Sequence, residues 1–443
     1  MKNISPKKKI IFFCALILLT SFFVEAGAFT IYWIVKKSIF PLSDYQSDIW
    51  RIRNIDNVIG SKTKHPGNTD MCFGKAIEVI HPYLGFVLDP KRNHNVSDFG
   101  FTFDVNPIMS PTNNKLIIGI FGGSCARDVY AHGRDILIKS LKNIGKEIMR
   151  NEFSRDIGKE ISVVNLANGG YKQPQQLMIL AYLLSLGAEF DIVINIDGFN
   201  EVALPPSENI PKNVFPIYPR AWYFRVAAAS DRQTLMQMGQ LVTLGQKRKN
   251  WAGVFTGTKL YRSVAACLIW KAVDRLLALK EHNIILDLSK DIKEANSYVV
   301  TGPQVSFPND DALYEYLGAV WKRCSLQMQA ICKGNNIIYY HFLQPNQYVE
   351  GSKPMKKEEW EIAINKNHPY RRGIDKSYSI LRRHGDDLRR LGVRYHDLTM
   401  TFAGIEEVLY GDDCCHLNTE GYRLISTTIG DIIKTDMGVQ STF

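Results

Sequence analysis

KLIIGIFGGSCARD, residues 115–128, joins a β-branched apolar run to a glycine turn and then to a polar segment of helical character. The run is strand length and lacks polar alternation, the pattern of a strand buried on both faces. Four further runs repeat it: ISVVNL (161–166), DIVINI (191–196), NIIYYHFL (336–343) and VRYHDL (393–398), with helical stretches between them. Strands separated by helices predict an α/β fold, a parallel five-stranded sheet covered by helices on both sides. In such sheets the chemistry collects just beyond the C-terminal ends of the strands.

Those ends carry unusual residues. Gly122-Gly123-Ser124 follows the first run, Ala167-Asn168-Gly169-Gly170 the second, and Asp197-Gly198-Phe199-Asn200-Glu201 the third. Asp412-Asp413-Cys414-Cys415-His416 lies beyond the fifth. A serine in a glycine turn at a strand-to-helix junction exposes its hydroxyl and aims its own N–H at a developing oxyanion. His416 is a candidate base, with Asp413 three residues earlier to orient its imidazole and Asp412 as the second choice by a different loop path. Gly170 admits close approach of a backbone N–H, and Asn200 offers an amide N–H that keeps its charge state at any pH. His341 and His396 fall inside strand runs and read as structural.

With these residues in place, the chain resembles the SGNH/GDSL hydrolases. Gly122-Gly123-Ser124 matches that family's first block, Asn165–Tyr171 the second, Gly198–Glu201 the third and Asp413–Gly421 the last, in the family's order, over residues 112–435 apart from the segment 205–310. Gly123 and Glu201 depart from the usual aspartates of the first and third blocks, and Gly169 is an alternative to Gly170. The resemblance implies a flavodoxin-like SGNH fold in which Ser124 is nucleophile, His416 base and Asp413 its partner. Ser124 N–H, Gly170 N–H and the Asn200 side chain then form the oxyanion hole. The implied activity is acyl transfer without metal or cofactor. The expected substrate is an acyl ester, an O-acetyl group on an envelope polysaccharide being the leading case. The same residues could deliver the acyl group to a sugar hydroxyl, and a third reading is a non-catalytic glycan-binding component.

Working outward, residues 205–310 interrupt the alternation with a proline-rich stretch, an expected capping box at Ser230–Gln233 and a helix striped by Leu260, Val264, Leu268, Ala272 and Leu276. This reads as an insertion serving as a lid, a dimer surface or a membrane-facing hairpin. The expected division is 1–37 as membrane segment, 38–111 as a lead-in packed on the main domain, and 112–443 as the hydrolase-like domain. Residues 10–24, IIFFCALILLTSFFV, are uncharged and follow Lys7, Lys8 and Lys9. Retention as a single transmembrane helix is expected, with the N-terminus cytoplasmic and the remainder extracytoplasmic; cleavage near Ala28 is the alternative. Across 443 residues the 45% apolar and 22% charged composition excludes wholesale disorder and a multi-span membrane protein. The net charge of +10 invites a nucleic-acid reading. Its basic residues concentrate between Arg371 and Arg394, on a helix whose other face holds Leu381, Leu388 and Leu391, so a solvated helix face is expected and no nucleic-acid partner. No zinc-ligand spacing occurs among the eight cysteines. Pairing of Ser124 with His416 would draw Cys125 and one of Cys414 or Cys415, Cys415 first, within bridging reach.

Overall fold

The computed structural model describes residues 6–54, 78–91, 93, 95–102, 106–109, 115–142, 160–226, 232–291 and 298–437. Along the chain, helices α1 (Pro6–Lys36) and α2 (Leu42–Arg53) precede a hairpin of β1 (Glu78–His81) and β2 (Gly85–Leu88). There follow β3 (Lys115–Gly122), α3 (Ser124–Lys142), β4 (Glu160–Asn165), α4 (Gln175–Ser185), β5 (Ile192–Asp197) and α5 (Phe199–Leu204). After α6 (Arg232–Gly257) and α7 (Val264–Asp291) come α8 (Asp310–Gly334), β6 (Ile338–Leu343), α9 (Arg371–Arg390), β7 (Arg394–Asp397) and α10 (Thr419–Asp436).

The five expected strands form one parallel sheet in the order β4-β3-β5-β6-β7. Period-two alternation is present inside the apolar runs, with both phases apolar. Leu116, Ile118 and Ile120 of β3 and Ile192, Ile194 and Ile196 of β5 pack on Val129 and Leu137 of α3 and on Ile425 and Ile429 of α10. Ile117, Phe121 and Val193 face the other way, into a core with Leu180 of α4, Trp321 of α8 and Leu381 of α9. Each such side chain contributes roughly 1.5–3 kcal/mol by leaving water. The second strand in sequence lies outside the first and the third on its other side. The order therefore reverses between β3 and β5, which puts the crevice for a ligand at their C-terminal ends.

Helices α3 and α10 lie on the same face, run parallel and sit very close. A Cβ at Gly133 would fall 1.7 Å from Ser426 Oγ, and one at Gly430 would fall 2.7 Å from Ser140 Cβ. His132 stacks on Tyr422, whose hydroxyl donates to Asp128 at 3.2 Å. This register sets the start of α3 beside the start of α10, so the loop entering α10 meets the turn entering α3.

Two compact units emerge: Met1–Ala76 with Ala227–Glu294, and Ile77–Val226 with Ala295–Phe443. The expected lead-in of 38–111 is thus shared. Helix α2 clusters with α6 and α7 around Phe40, Ile49, Ile52, Phe255 and Trp270, whereas Leu84, Phe86, Val87, Phe101 and Ile108 belong to the sheet unit's core. Residues 205–226 also return to the sheet unit, so the inserted helical block is narrower than 205–310. Within it the expected stripe on α7 is displaced. Leu260 and Leu276 are exposed, and the buried face is Cys267, Trp270 and Asp274, because α2 and α6 approach from that side. Of the capping box expected at Ser230–Gln233, Ser230 and Asp231 lie outside the described residues.

Helix α9 buries Leu381 and Leu388 as expected, but Leu391 is exposed because it follows the helix end. Its cations are paired: Arg372 with Asp310, Lys376 with Asp311, Arg382 with Asp397, and Arg383 with Glu315. That pairing, chiefly to the acidic first turns of α8, cancels the positive face suggested by the sequence. Helix α1 is long and apolar enough to cross a membrane over Phe12–Lys36.

Candidate active site

Ser124 opens α3 directly after β3, and His416 stands two residues before the cap of α10. Their side chains meet: His416 Nε2 is 2.8 Å from Ser124 Oγ. On the other side of the ring, Nδ1 is 2.5 Å from Oδ2 of Asp412. The orienting carboxylate in this geometry is therefore Asp412 and not Asp413. The reason is local. Asp412 Oδ1 accepts the backbone N–H groups of Cys414, Cys415 and His416, each at 3.0 Å, and so winds the loop into a turn that brings residue 416 back over residue 412. Asp413 points outward, where its carboxylate accepts from Asn365 Nδ2 at 2.9 Å and lies 4.0 Å from His368. Its carbonyl accepts the Tyr348 hydroxyl at 2.6 Å, which ties down the same loop.

The charges follow the contacts. Burial disfavours the imidazolium, but the hydrogen bond and charge of Asp412 outweigh it and push His416 up to about 9. Burial acts on Asp412 in the opposite sense and is likewise outweighed by His416 and the backbone donors, which hold it at about 2. The loop is fixed from below by a fully buried pair, Lys353 and Glu359, 3.0 Å apart. The other oxygen of Glu359 accepts the N–H groups of Leu409 and Tyr410 at 2.8 Å.

The expected oxyanion donors gather at the same end of the sheet. Asn200 Nδ2 donates to Tyr171 O at 2.8 Å with one hydrogen, leaving a second. A Cβ at Gly123 would lie 2.2 Å from this Nδ2. The absence of a side chain at Gly123 thus lets the amide come directly against the turn that carries Ser124. Gly169 and Gly170 differ in their hydrogen bonds. Gly169 N–H is taken by Asn168 Oδ1 at 2.8 Å, whereas Gly170, at φ +78, donates to no group among the described residues.

Behind Asn200 the end of β5 is held by a buried network. Asp197 accepts from His341 Nε2 at 2.8 Å, Trp321 Nε1 at 2.6 Å and Asn195 Nδ2 at 2.7 Å. Burial pushes Asp197 up, but these partners, His341 first, hold it below the ordinary carboxylate value. Glu201 accepts Gly198 N–H at 2.8 Å and Gln173 N–H at 2.9 Å; burial and the neighbouring Asp197 push it up to about 8. The carboxylate of Glu201 thus closes this cap. His341 is fully buried in the network, and His396 meets Asp436 at 3.2 Å, far along α10 from the loop that carries His416.

Sequence reasoning missed several neighbours. Arg127, one turn along α3 from Ser124, bonds Asp128 at 2.8 Å and approaches Gly169; its spacing on the helix was a readable signal. Arg220 packs over Gly170, paired with Glu208 at 3.1 Å. Glu78 of β1 accepts from Asn168 at 3.3 Å and from Arg225 at 2.7 Å. Neither Arg220 nor Glu78 carried a local signal, since one was assigned to the insertion and the other to the lead-in. Cys125 and Cys415 do not bridge. Both are free thiols, and Cys415 Sγ instead lies 3.7 Å from Cys414 Sγ. Donor atoms of Cys414, Cys415 and His416 fall within 4.8 Å of one another, but both His416 nitrogens are already engaged by Asp412 and Ser124.

No protein-family model matches this chain, and no curated protein is significantly similar to it.

Proposed function

We propose that the sheet unit is a serine hydrolase of the SGNH/GDSL type, acting on acyl esters outside the cytoplasm and held to the membrane by α1. The observation that carries this reading is the continuous chain Ser124 Oγ, His416 Nε2, His416 Nδ1 and Asp412 Oδ2, at 2.8 and 2.5 Å. A serine in such a chain becomes nucleophilic because the neutral imidazole takes its proton as the bond to the acyl carbon forms. The oxyanion that develops is met by Ser124 N–H, Gly170 N–H and the second Asn200 hydrogen. His416 then returns its proton to the departing alcohol. Water, deprotonated by the same imidazole, attacks the acyl-enzyme and frees Ser124. Short acyl groups, O-acetyl on an envelope polysaccharide among them, are the proposed substrates.

The competing reading of a transferase keeps every step but the last, with a sugar hydroxyl in place of water. Partition of the acyl group between water and added glycan separates the two. For a non-catalytic glycan binder the chain through Asp412, His416 and Ser124 has no use. Turnover of aryl esters of graded chain length tests the proposal: acetyl and propionyl esters should be cleaved fastest, and absence of turnover by folded protein would refute it.

For α1, the supporting observations are its length, its apolar composition and Lys7, Lys8 and Lys9 at its start, which favour a cytoplasmic N-terminus. Glu25, the one acid within it, is not stranded. Its carboxylate accepts from Ser263 Oγ and, at 2.8 Å, from the N–H of Val264 at the start of α7.

A further inference from the structure

That carboxylate has a second consequence, which rests on the reading of α1 as a membrane span. From Lys9 to Glu25 is 16 helical residues, or about 24 Å at 1.5 Å per residue, and the hydrocarbon core is about 30 Å thick. With Lys9 at the inner face, Glu25 stands within the outer leaflet. Whatever touches Glu25 stands there too, and Ser263 and Val264 touch it. Helices α1 and α7 run in the same direction. Glu25 meets the first residue of α7, and Tyr32, farther along α1, joins the cluster around Cys267 and Trp270. The turn from α6 to α7 is therefore the end of the helical unit nearest the cytoplasmic face, and the rest of α7 leads away from the membrane.

The surface of this turn suits that depth. Leu260 is 41% exposed, with Val254 (49%) before it and Ile269 (58%) after it. Lys259 and Arg262 beside them are also exposed, on stems long enough to carry their charges to lipid phosphates. Trp33 and Trp50, exposed in the same unit, are the residue type that collects at a membrane–water interface.

We infer that the turn Thr258–Arg262 is a second membrane contact, seated in the outer leaflet beside α1. Leu260 and Val254 lie against acyl chains, Ile269 reaches the interface, and Lys259 and Arg262 bind anionic lipid phosphates. Such a seat fixes the tilt and height of the helical unit where α1 alone would leave it free to rotate about one tether.

Photocrosslinking of the full chain in proteoliposomes of phosphatidylethanolamine and phosphatidylglycerol tests this. p-Benzoylphenylalanine is placed singly at Phe22, Val254, Leu260 and His282, the last exposed and far along α7. Lipid adducts are expected at Phe22, Val254 and Leu260 and not at His282. The K259E/R262E double substitution should reduce the Leu260 adduct several-fold in these anionic vesicles. Adducts at Phe22 without any at Leu260 overturn the inference and spare the span. Crosslinks from Leu260 to a second copy of the chain also overturn it. Absence of lipid adducts at Phe22 itself removes the span and the inference together.

Discussion

In the proposed mechanism Asp412 orients His416 as the base, and its neighbour Asp413 supplies the control. Asp412→Asn should keep the loop's shape but lose the orienting charge, lowering turnover by about 10⁴. Asp413→Asn, whose carboxylate among the described residues meets Asn365 and approaches His368, should stay within roughly tenfold of the parent. Rates on an aryl acetate distinguish the two, and the reverse order would return the role to Asp413. Ser124→Ala and His416→Ala should each cost about 10⁴ to 10⁶ with the fold intact, and Asn200→Ala about 10² to 10³. The pH dependence has a definite sign. Only neutral His416 accepts the serine proton, and Asp412 raises its pKa to about 9, so kcat/KM should climb with pH from 6.5 towards 9. In Asp412→Asn the rise should move to lower pH, because the group that holds the proton on the ring is gone. The meeting of Ser124 and His416 was legible in sequence, because Ser124 directly follows a strand and His416 closes the loop before the last helix. The choice of Asp412 over Asp413 was not, since it depends on one carboxylate oxygen collecting three successive N–H groups, which spacing alone does not reveal.

Among the elements, the pairing of α3 with α10 is what brings Ser124 and His416 together across the sequence. Gly133 leaves no room for a side chain against Ser426. Gly133→Ala should therefore cost roughly 1–3 kcal/mol by overpacking and lower activity besides. Ser426→Gly should restore both in the double variant, as a denaturation series with parallel assays would show. Glu359→Ala leaves Lys353 buried without its carboxylate partner and frees two backbone N–H groups just before Asp412. A loss of about 3–5 kcal/mol is expected in urea unfolding. The strands were readable because burial on both faces makes them continuous apolar runs. Helix α7 was not, because nearly all its faces carry leucine, isoleucine or alanine, and only the approach of α2 and α6 selects which of them is buried. The same holds for α9, where the basic face is obvious in sequence and its neutralising partners on α8 are distant in the chain.

At the scale of the whole molecule, the chain combines a helical unit containing an apolar helix with a sheet unit containing the candidate site. The sequence led to an N-terminal apolar segment and a sheet domain carrying an insertion, and did not reveal that the N-terminal region and the insertion form one unit. The borders of the two units escaped because residues 38–111 and 205–310 each contribute to both units, and polar, turn-rich sequence does not say which core its few apolar islands will join. If α1 is retained, the full-length protein should stay in the membrane pellet after alkaline carbonate extraction with its N-terminal peptide still attached. Release of a shorter chain beginning near Phe29 would mean a cleaved signal. The central claim, that Ser124 is an activated nucleophile, is tested most directly by intact-protein and peptide mass spectrometry after treatment with a fluorophosphonate. The account predicts one adduct, on Ser124, formed rapidly by the parent and at least a thousandfold more slowly by His416→Ala. Folded protein that remains unmodified at Ser124, or that reacts there equally fast without His416, would contradict it.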